Sequence, residues 1–420
     1  MNAQDTKPAA FIGIDWADQK HDISIHPADK STPLHEVIES KPEAVQEWIL
    51  KVRDRYAVDG SKIYVCIEQS KGAFIYQLMA YDFFVLFPIN PKSLASFREA
   101  FSTSGAKGDP TDADLLAEIV ELHSHRLKAW RPDDEQTRKL AAFCKKRRDA
   151  VQAKVRLVQQ VKAELKNYYP FALELLDERL DTPLACDFLT RWPTFESLQR
   201  AKAPTLRRFF YARHCRDIDR LNNALARLAS AVNPTKDSAI IDPAAANVRM
   251  LARQLRAILP AIDEFDKEIG ALYKSHPNAE IFASFPGAGE QLAPRLLTGF
   301  GTDPSRIESA VQMSVISGIA PVREASGKTC VIHRRWACPK FLRQSFHEFA
   351  ACSLRSSSCQ WAKAYYDDQR KKGKRHHTAV RSLAFKWIRI LFACWKSHTP
   401  YSDALYNEKL RSRGSAFACA

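Results

Sequence analysis

No stretch of this chain stays apolar over the roughly 18–20 residues that a membrane-spanning helix requires, so helical membrane insertion is excluded. The first ten residues carry no apolar run followed by a cleavage site, and a cytoplasmic, reducing location is expected. The ten cysteines include no Cys-x-x-Cys pair. Cys330 and Cys338, with His333 between them, come nearest to metal-ligand spacing, but small buried thiols are the expected role of these cysteines. There is no internal repeat and no low-complexity tract. Acidic side chains are in deficit, 48 against 63 basic ones, which leaves a net charge of +15.

What is present suffices for packed cores. Hydrophobic residues make up 45% and aromatics 10%, so a wholly disordered chain is excluded. A length of 420 residues suggests two or three domains. The charge is divided unevenly among them. Residues 1–134 hold 15 basic and 21 acidic side chains, net −6; residues 135–320 hold 28 and 21, net +7; residues 321–420 hold 20 and 6, net +14. A basic region has an electrostatic reason to meet polyanions. Arg334-Arg335 and the run Arg370-Lys371-Lys372-Gly373-Lys374-Arg375 favour phosphate contacts, a solvated surface being the plainer alternative. The split suggests carboxylates holding metal in the first part and side chains holding nucleic acid in the last.

The first region reads as mixed α/β. Residues 11–15 form a short apolar strand, 21–26 alternate as a half-buried strand does, and a third strand fits 34–39. Residues 41–55 predict a helix with Val45, Trp48, Ile49 and Val52 on one face. Residues 63–67 are a buried strand ending at Glu68, followed by a helix over 70–81, a strand over 83–87 and a helix over 92–104. The order β-β-β-α-β-α-β-α is that of an RNase H-like domain.

The second region is helical. Apolar residues from Leu140 to Leu165 recur at threes and fours, which predicts a long amphipathic helix ending before Pro170. A second such segment runs from Leu251 to Leu272 with Pro260 inside it, where a kink is expected. Two helices of a bundle and an antiparallel arm used for dimerisation are both open readings. In the third region, Pro286-Gly287-Ala288-Gly289 leads into a helix over 291–297, a turn that can receive a phosphate. Helices follow near 307–317, 339–356 and 376–397.

Asp15 ends the first strand and Glu68 ends the strongest later one. In an RNase H-like sheet these strands are neighbours, so both carboxylates project from one edge. Asp109 and Asp112 lie at i and i+3 and share a helix face. Asp109 can also be a plain N-cap before Pro110, and Asp112 can simply favour the helix dipole. Four clustered carboxylates suit Mg²⁺ (or Mn²⁺), which offsets their mutual repulsion. Asp18, Asp22 and Asp114 fit less well and are expected on solvated faces.

These residues resemble a known family. Gly13-Ile14-Asp15-Trp16-Ala17, Glu68 and Lys107-Gly108-Asp109-Pro110-Thr111-Asp112-Ala113 look like the Asp-Glu-Asp-Asp core of the insertion-sequence 110 family transposases. Pro286-Gly287-Ala288-Gly289, Ser317-Gly318-Ile319-Ala320-Pro321, Ala325-Ser326-Gly327-Lys328, Leu342-Arg343, Tyr365-Tyr366 and Gly373-Lys374 continue the likeness in the same order. Three departures stand out: Gly108 replaces the usual Thr, Ala325 precedes Ser326 where a second serine is common, and Arg335-Trp336-Ala337-Cys338-Pro339 replaces an Arg-x-Gly-Asn stretch.

The resemblance implies a RuvC-like catalytic domain over 1–132, a helical coiled-coil domain over 133–278, a mostly helical C-terminal transposase domain over 279–400 and a tail over 401–420. It implies a recombinase that inserts and excises its own element. Asp15, Glu68, Asp109 and Asp112 would hold metal and Ser326 would attack the strand. Arg323, Lys328, Arg334, Arg335, Arg343, Lys371, Lys372, Lys374 and Arg375 would contact nucleic acid. The implied partners are donor and target double-stranded DNA, a bridge RNA that pairs with both, and further copies of the chain in a dimer or tetramer. The rival readings are a junction-resolving endonuclease of RuvC type, a site-specific DNA invertase and a non-catalytic nucleic-acid-binding architectural protein.

Overall fold

The computed structural model describes residues 8–68, 72–101, 109–215, 217–327 and 329–417. The chain forms two compact units, Met1–Pro132 and Asp133–Ala420.

The first unit is mixed α/β. Its elements are β1 (Pro8–Trp16), β2 (Lys20–Pro27), β3 (Leu34–Glu39), α1 (Pro42–Tyr56), β4 (Lys62–Ile67), α2 (Ala73–Leu78), β5 (Phe84–Pro88), α3 (Pro91–Phe101) and α4 (Asp109–His123). The five strands form one sheet in the order β3-β2-β1-β4-β5. β2 runs antiparallel to β1 and β3, while β4 runs parallel to β1 and β5. The alternation of β1 explains its layers. Ile12 and Ile14 enter a core with Trp48, Ile49, Phe74 and Leu78, on the side of α1 and α2. Gly13 faces the opposite side, where Tyr64, Cys66, Phe87, Leu116, Ile119 and Val120 form a second core. The expected strand order and the buried face of α1, Val45, Trp48, Ile49 and Val52, are observed. The described part of α2 is shorter than expected, starting at Ala73.

The second unit is almost wholly helical. It comprises α5 (Glu135–Tyr168), α6 (Pro170–Leu175), α7 (Pro183–Arg191), α8 (Phe195–Gln199), α9 (Ala203–Tyr211), α10 (Ile218–Arg227), α11 (Ser238–Lys274), α12 (Ala279–Ala283), α13 (Gly289–Phe300) and α14 (Ala310–Ile316). A hairpin of β6 (Val322–Ser326) and β7 (Thr329–His333) follows, then α15 (Lys340–Ser353), α16 (Gln360–Lys371), α17 (His376–Lys396) and α18 (Asp403–Ser412). The long helices α5 and α11 pack along each other antiparallel. Gln136 Nε2 donates to the Leu272 carbonyl at one end, and Asn247 Nδ2 donates to Glu164 Oε1 at the other. Their ends enter two different cores. Leu140, Cys144 and Ile269 join Phe282, Phe300, Phe346, Trp361, Trp387 and Trp395. Val161, Leu165, Val248 and Leu251 join Tyr168, Phe188, Phe209 and Phe210. Between these cores Val155 is 50% exposed, although its spacing put it on the apolar stripe.

Several expectations change. No compact division falls near residue 278, because Leu140 and Ile269 share a core with the helices after residue 279. The stretch read as a tail carries α18, with Tyr401 and Leu410 packed into that core. The hairpin β6–β7 was not expected; its charged, alternating residues give no sign of a buried face. The nine described cysteines are free thiols, and Cys66, Cys144, Cys186 and Cys359 are buried as expected. Cys330 is exposed on β7 instead.

Candidate functional site

Two clusters carry candidate chemistry, one in each unit. In the first, β1 and β4 pair in parallel with Ile14 beside Ile67. Asp15 and Glu68 are the next residues on each chain, so they lie side by side at the same edge of the sheet. Both are half-buried.

Gly13 brings a helix to that edge. A Cβ at Gly13 would lie 1.9 Å from the Ala113 carbonyl oxygen and 2.3 Å from the Ala117 nitrogen, so only glycine allows α4 to rest on β1 this closely. Asp112 precedes Ala113, and the contact sets the first turn of α4 against the strand that carries Asp15. Asp109 begins α4; its side chain, like Lys107 and Gly108, lies outside the described residues.

Asp112 is 5% exposed and is held by Arg98 of α3. Arg98 Nε donates to Oδ1 at 2.9 Å and Nη2 to Oδ2 at 2.5 Å, a two-pronged pairing of the kind that fits a guanidinium to a carboxylate. Asp112 therefore already has a cationic partner. Among the described residues no three His, Cys, Asp or Glu side chains converge on a point that could hold a metal ion. The donor set still fits a hard divalent cation, because Asp15, Glu68 and Asp112 offer only carboxylate oxygens.

Asp22 is a correction to the sequence reading. It stands opposite Asp15 across β1 and β2, on the same face of the sheet, and is 7% exposed rather than solvated. Asp18 is exposed, and Asp114 is part-exposed with His35 Nδ1 at 3.4 Å. On the far face, His21 is buried against Phe74 and its Nδ1 has no hydrogen-bond partner; burial pushes its pKa below 6.5, Asp22 opposing.

In the second unit, Ser326 ends β6 and pairs with Thr329. Gly327 takes a φ of +55° in the two-residue turn between them, the left-handed conformation such turns require. Lys328 lies outside the described residues. The hairpin is exposed nearly throughout, Ser326 included. Strand alternation puts Ser326 on the face of Glu324 and His333, which pair at 3.3 Å. Arg323 lies on the other face, with Nε 3.2 Å from Cys330 Sγ.

Past the hairpin, Arg334 stacks over Trp336 at 5.0 Å. Arg343 Nη1 donates to the Arg335 carbonyl at 3.1 Å, and Arg335 Nε donates to the Ala320 carbonyl at 3.4 Å. Arg381, which the sequence reading missed, joins this group from α17. Burial, and then the neighbouring charges of Arg334 and Arg343, hold its guanidinium below its usual range. His347 is pushed down by burial and then by His377 and Arg381. Lys371, Lys372, Lys374 and Arg375 lie at the junction of α16 and α17, where Lys372 pairs with Asp368 at 2.7 Å and Lys374 with Gln369. Arg381 follows His377 by four residues on α17, the one signal that could have found it.

The turn before α13 is structural at its first glycine. A Cβ on Gly287 would lie 2.9 Å from the Cys352 carbonyl carbon and the Ser353 nitrogen. Glu290 in the first turn of α13 places a negative charge beside this turn, which disfavours an anion there.

Comparison with known proteins bears on both clusters. Residues 12–170 match the model for the DEDD domain of IS110, described as a transposase, and residues 279–367 match the model described as "Transposase IS116/IS110/IS902 family". Together they cover more than half of the chain, including Asp15, Glu68, Asp109, Asp112 and Ser326. The protein described as "Mini-circle putative transposase for IS117" from Streptomyces coelicolor is 28% identical over 406 residues, 94% of this chain and 95% of its own length. The 43.6 kDa protein of insertion element IS110 from the same organism is 27% identical over 71% of this chain and 73% of its own length. The 42 kDa protein of insertion element IS900 from Mycobacterium paratuberculosis is 27% identical over the same shares.

Proposed function

The chain belongs to the IS110 family of transposases, enzymes that act on DNA, and on that premise we propose that it inserts and excises its own element by a serine-mediated strand transfer. The observation that carries this reading is the exposed Ser326 at a glycine turn, within the segment that matches the family. The Ser326 oxygen attacks the phosphorus of one strand. One P–O bond forms at the serine as the bond to a deoxyribose oxygen breaks, and the serine proton ends on the departing hydroxyl. The phosphoserine linkage keeps the bond energy, so the strand can be rejoined to a new end without ATP.

In the first unit, Asp15, Glu68, Asp109 and Asp112 are the residues that would hold a divalent cation, Mg²⁺ or Mn²⁺ in this reading. When bound, such an ion supplies Lewis-acid polarisation of the phosphodiester. Asp15 and Glu68 are oriented for this by the β1–β4 register, and Asp112 by the seat of α4 on Gly13. Arg98 must release Asp112 for it to serve. The first unit takes the role of an RNase H-like, RuvC-type domain, which its strand order supports. Arg334, Arg335, Arg343 and Arg381 serve to hold DNA phosphates near the strand exchange, the mutual repulsion of Arg334, Arg343 and Arg381 being what a polyanion relieves.

Donor and target duplexes are the substrates in this reading, a bridge RNA selects them by base pairing, and a homo-oligomer holds the two duplexes together. The test is a covalent adduct. Incubation with the element's end sequences and a divalent metal, followed by denaturation, should leave DNA attached to the protein, and Ser326→Ala should leave none. Strand transfer at the normal rate by Ser326→Ala would overturn the mechanism in favour of hydrolysis with water as nucleophile.

A further inference from the structure

A concavity of about 510 Å³ opens in the helical part of the second unit. Its wall contains Arg191, Arg213, Arg253 and Arg256 around one carboxylate, Asp187. They come from α7, from the turn after α9 and from successive turns of α11. Arg213 Nε donates to Asp187 Oδ2 at 2.9 Å and Arg256 Nε to Oδ1 at 3.3 Å. One carboxylate thus answers two guanidiniums, and the wall keeps a net charge of about +3. Among the described residues, neither Arg191 nor Arg253 pairs with a carboxylate.

Two of the cations stack on rings. Arg191 stacks over Trp192 at 4.7 Å, and Arg213 stacks over the buried Phe209 at 3.9 Å. Stacking uses the face of a guanidinium and leaves its in-plane N–H donors for a ligand. Four guanidiniums lining one hollow offer an anion of matching shape several donors at once, with one carboxylate to offset their charge. A phosphodiester oxygen pair matches the guanidinium fork, and a nucleic-acid strand presents such groups at regular intervals, one for each of several arginines. We infer that this arginine basin grips the phosphate backbone of a nucleic acid, at a place distinct from the Ser326 hairpin. The inference goes beyond the strand-transfer reading and does not use the chemistry of Ser326. DNA and a folded RNA offer the same phosphates, and the experiment separates them.

Full-length protein carrying Arg191→Ala with Arg253→Ala should be compared with wild type by fluorescence anisotropy, using a duplex DNA and an RNA hairpin of about 30 base pairs each and arbitrary sequence, over a range of salt. Arg253→Ala alone, at an exposed position of α11, serves as the variant least able to disturb folding. The double variant should weaken binding about 10-fold at moderate salt and lower the salt-dependence slope by about 2, one for each lost phosphate contact. Weakening with both probes, or with only one, supports the basin and identifies its ligand. Unchanged affinity and slope with both probes, in protein of native circular dichroism, overturn it. So does unchanged binding with a changed oligomeric state, which would make the basin a protein interface. Ser326→Ala should bind both probes as wild type does, so failure of the basin and failure of the adduct are read separately.

Discussion

In the first unit, Asp15 extends a strand that is hydrogen-bonded on both sides, and Gly13 seats a helix on it to within backbone contact. In the second, Ser326 stands at the tip of a two-stranded hairpin whose residues are nearly all exposed. Under the proposed function, the difference follows from what each group would do. Metal ligands act only if their oxygens are fixed against mutual repulsion, and a packed sheet edge supplies that rigidity. A serine that attacks a duplex must reach past the protein surface, and a hairpin tip does so with little buried area to lose.

The two units should differ most in their response to loss of a single reactive group. Ser326→Ala should lower strand transfer by about 10³-fold or more while the melting temperature stays at the wild-type value, because the side chain is exposed and removes no packing. Thermal melting beside the strand-transfer assay checks both halves of that statement. Asp15→Asn should also bring activity close to background, and isothermal titration with Mn²⁺ should show weakened metal binding; unaltered metal binding would remove Asp15 from the metal set.

Gly13→Ala tests rigidity without touching a carboxylate. The added Cβ meets backbone rather than a movable side chain, so a loss of about 3 kcal/mol is expected, seen in denaturant unfolding of the first unit. An equivalent change at Gly327, where a Cβ meets nothing within 4 Å, should cost less, limited to the strain of its positive φ.

Arg98→Ala should cost about 1–2 kcal/mol in metal-free protein, since it leaves a buried carboxylate unpaired. Added Mn²⁺ should restore that loss, as an ion at Asp112 takes the place of the guanidinium. A deficit that persists with metal would mean that Asp112 is a structural partner of Arg98 only.

The smallest effect is one of pH. The unfolded chain protonates His21 near 6.5, while the folded unit, which buries the ring, does so only at lower pH. The unfolded state therefore binds more protons in that interval, and stability falls as pH drops below about 6.5. His21→Leu should flatten this part of the stability profile.

The sheet was legible because buried strands read as apolar runs, and two of those runs end in a carboxylate, Asp15 and Glu68. The seat of α4 was not, since Gly13 sits among apolar neighbours and nothing in its own stretch reveals the helix about 100 residues later that rests on it. Asp22 was misplaced for a related reason: alternation locates a side chain on a face but does not say whether a helix covers that face. Ser326 was singled out only through its family motif. The hairpin around it has no buried side and so no hydrophobic period. Arg191, Arg213, Arg253 and Arg256 come from three separated segments, and only folding brings them to one wall.

The pairing of α5 with α11 has a further consequence. Cys144 and Val161 lie 17 residues apart on one helix and belong to different cores, so the pair holds those cores apart by roughly 25 Å. It is a ruler. The arginine basin is at one end and the helices that support the Ser326 hairpin are at the other. Removing seven residues from each helix between the cores, two turns in phase, would bring the two ends about 10 Å closer without taking a side chain from either core. If one strand contacts both the basin and the hairpin as proposed, the length of this strut sets how many nucleotides it must span.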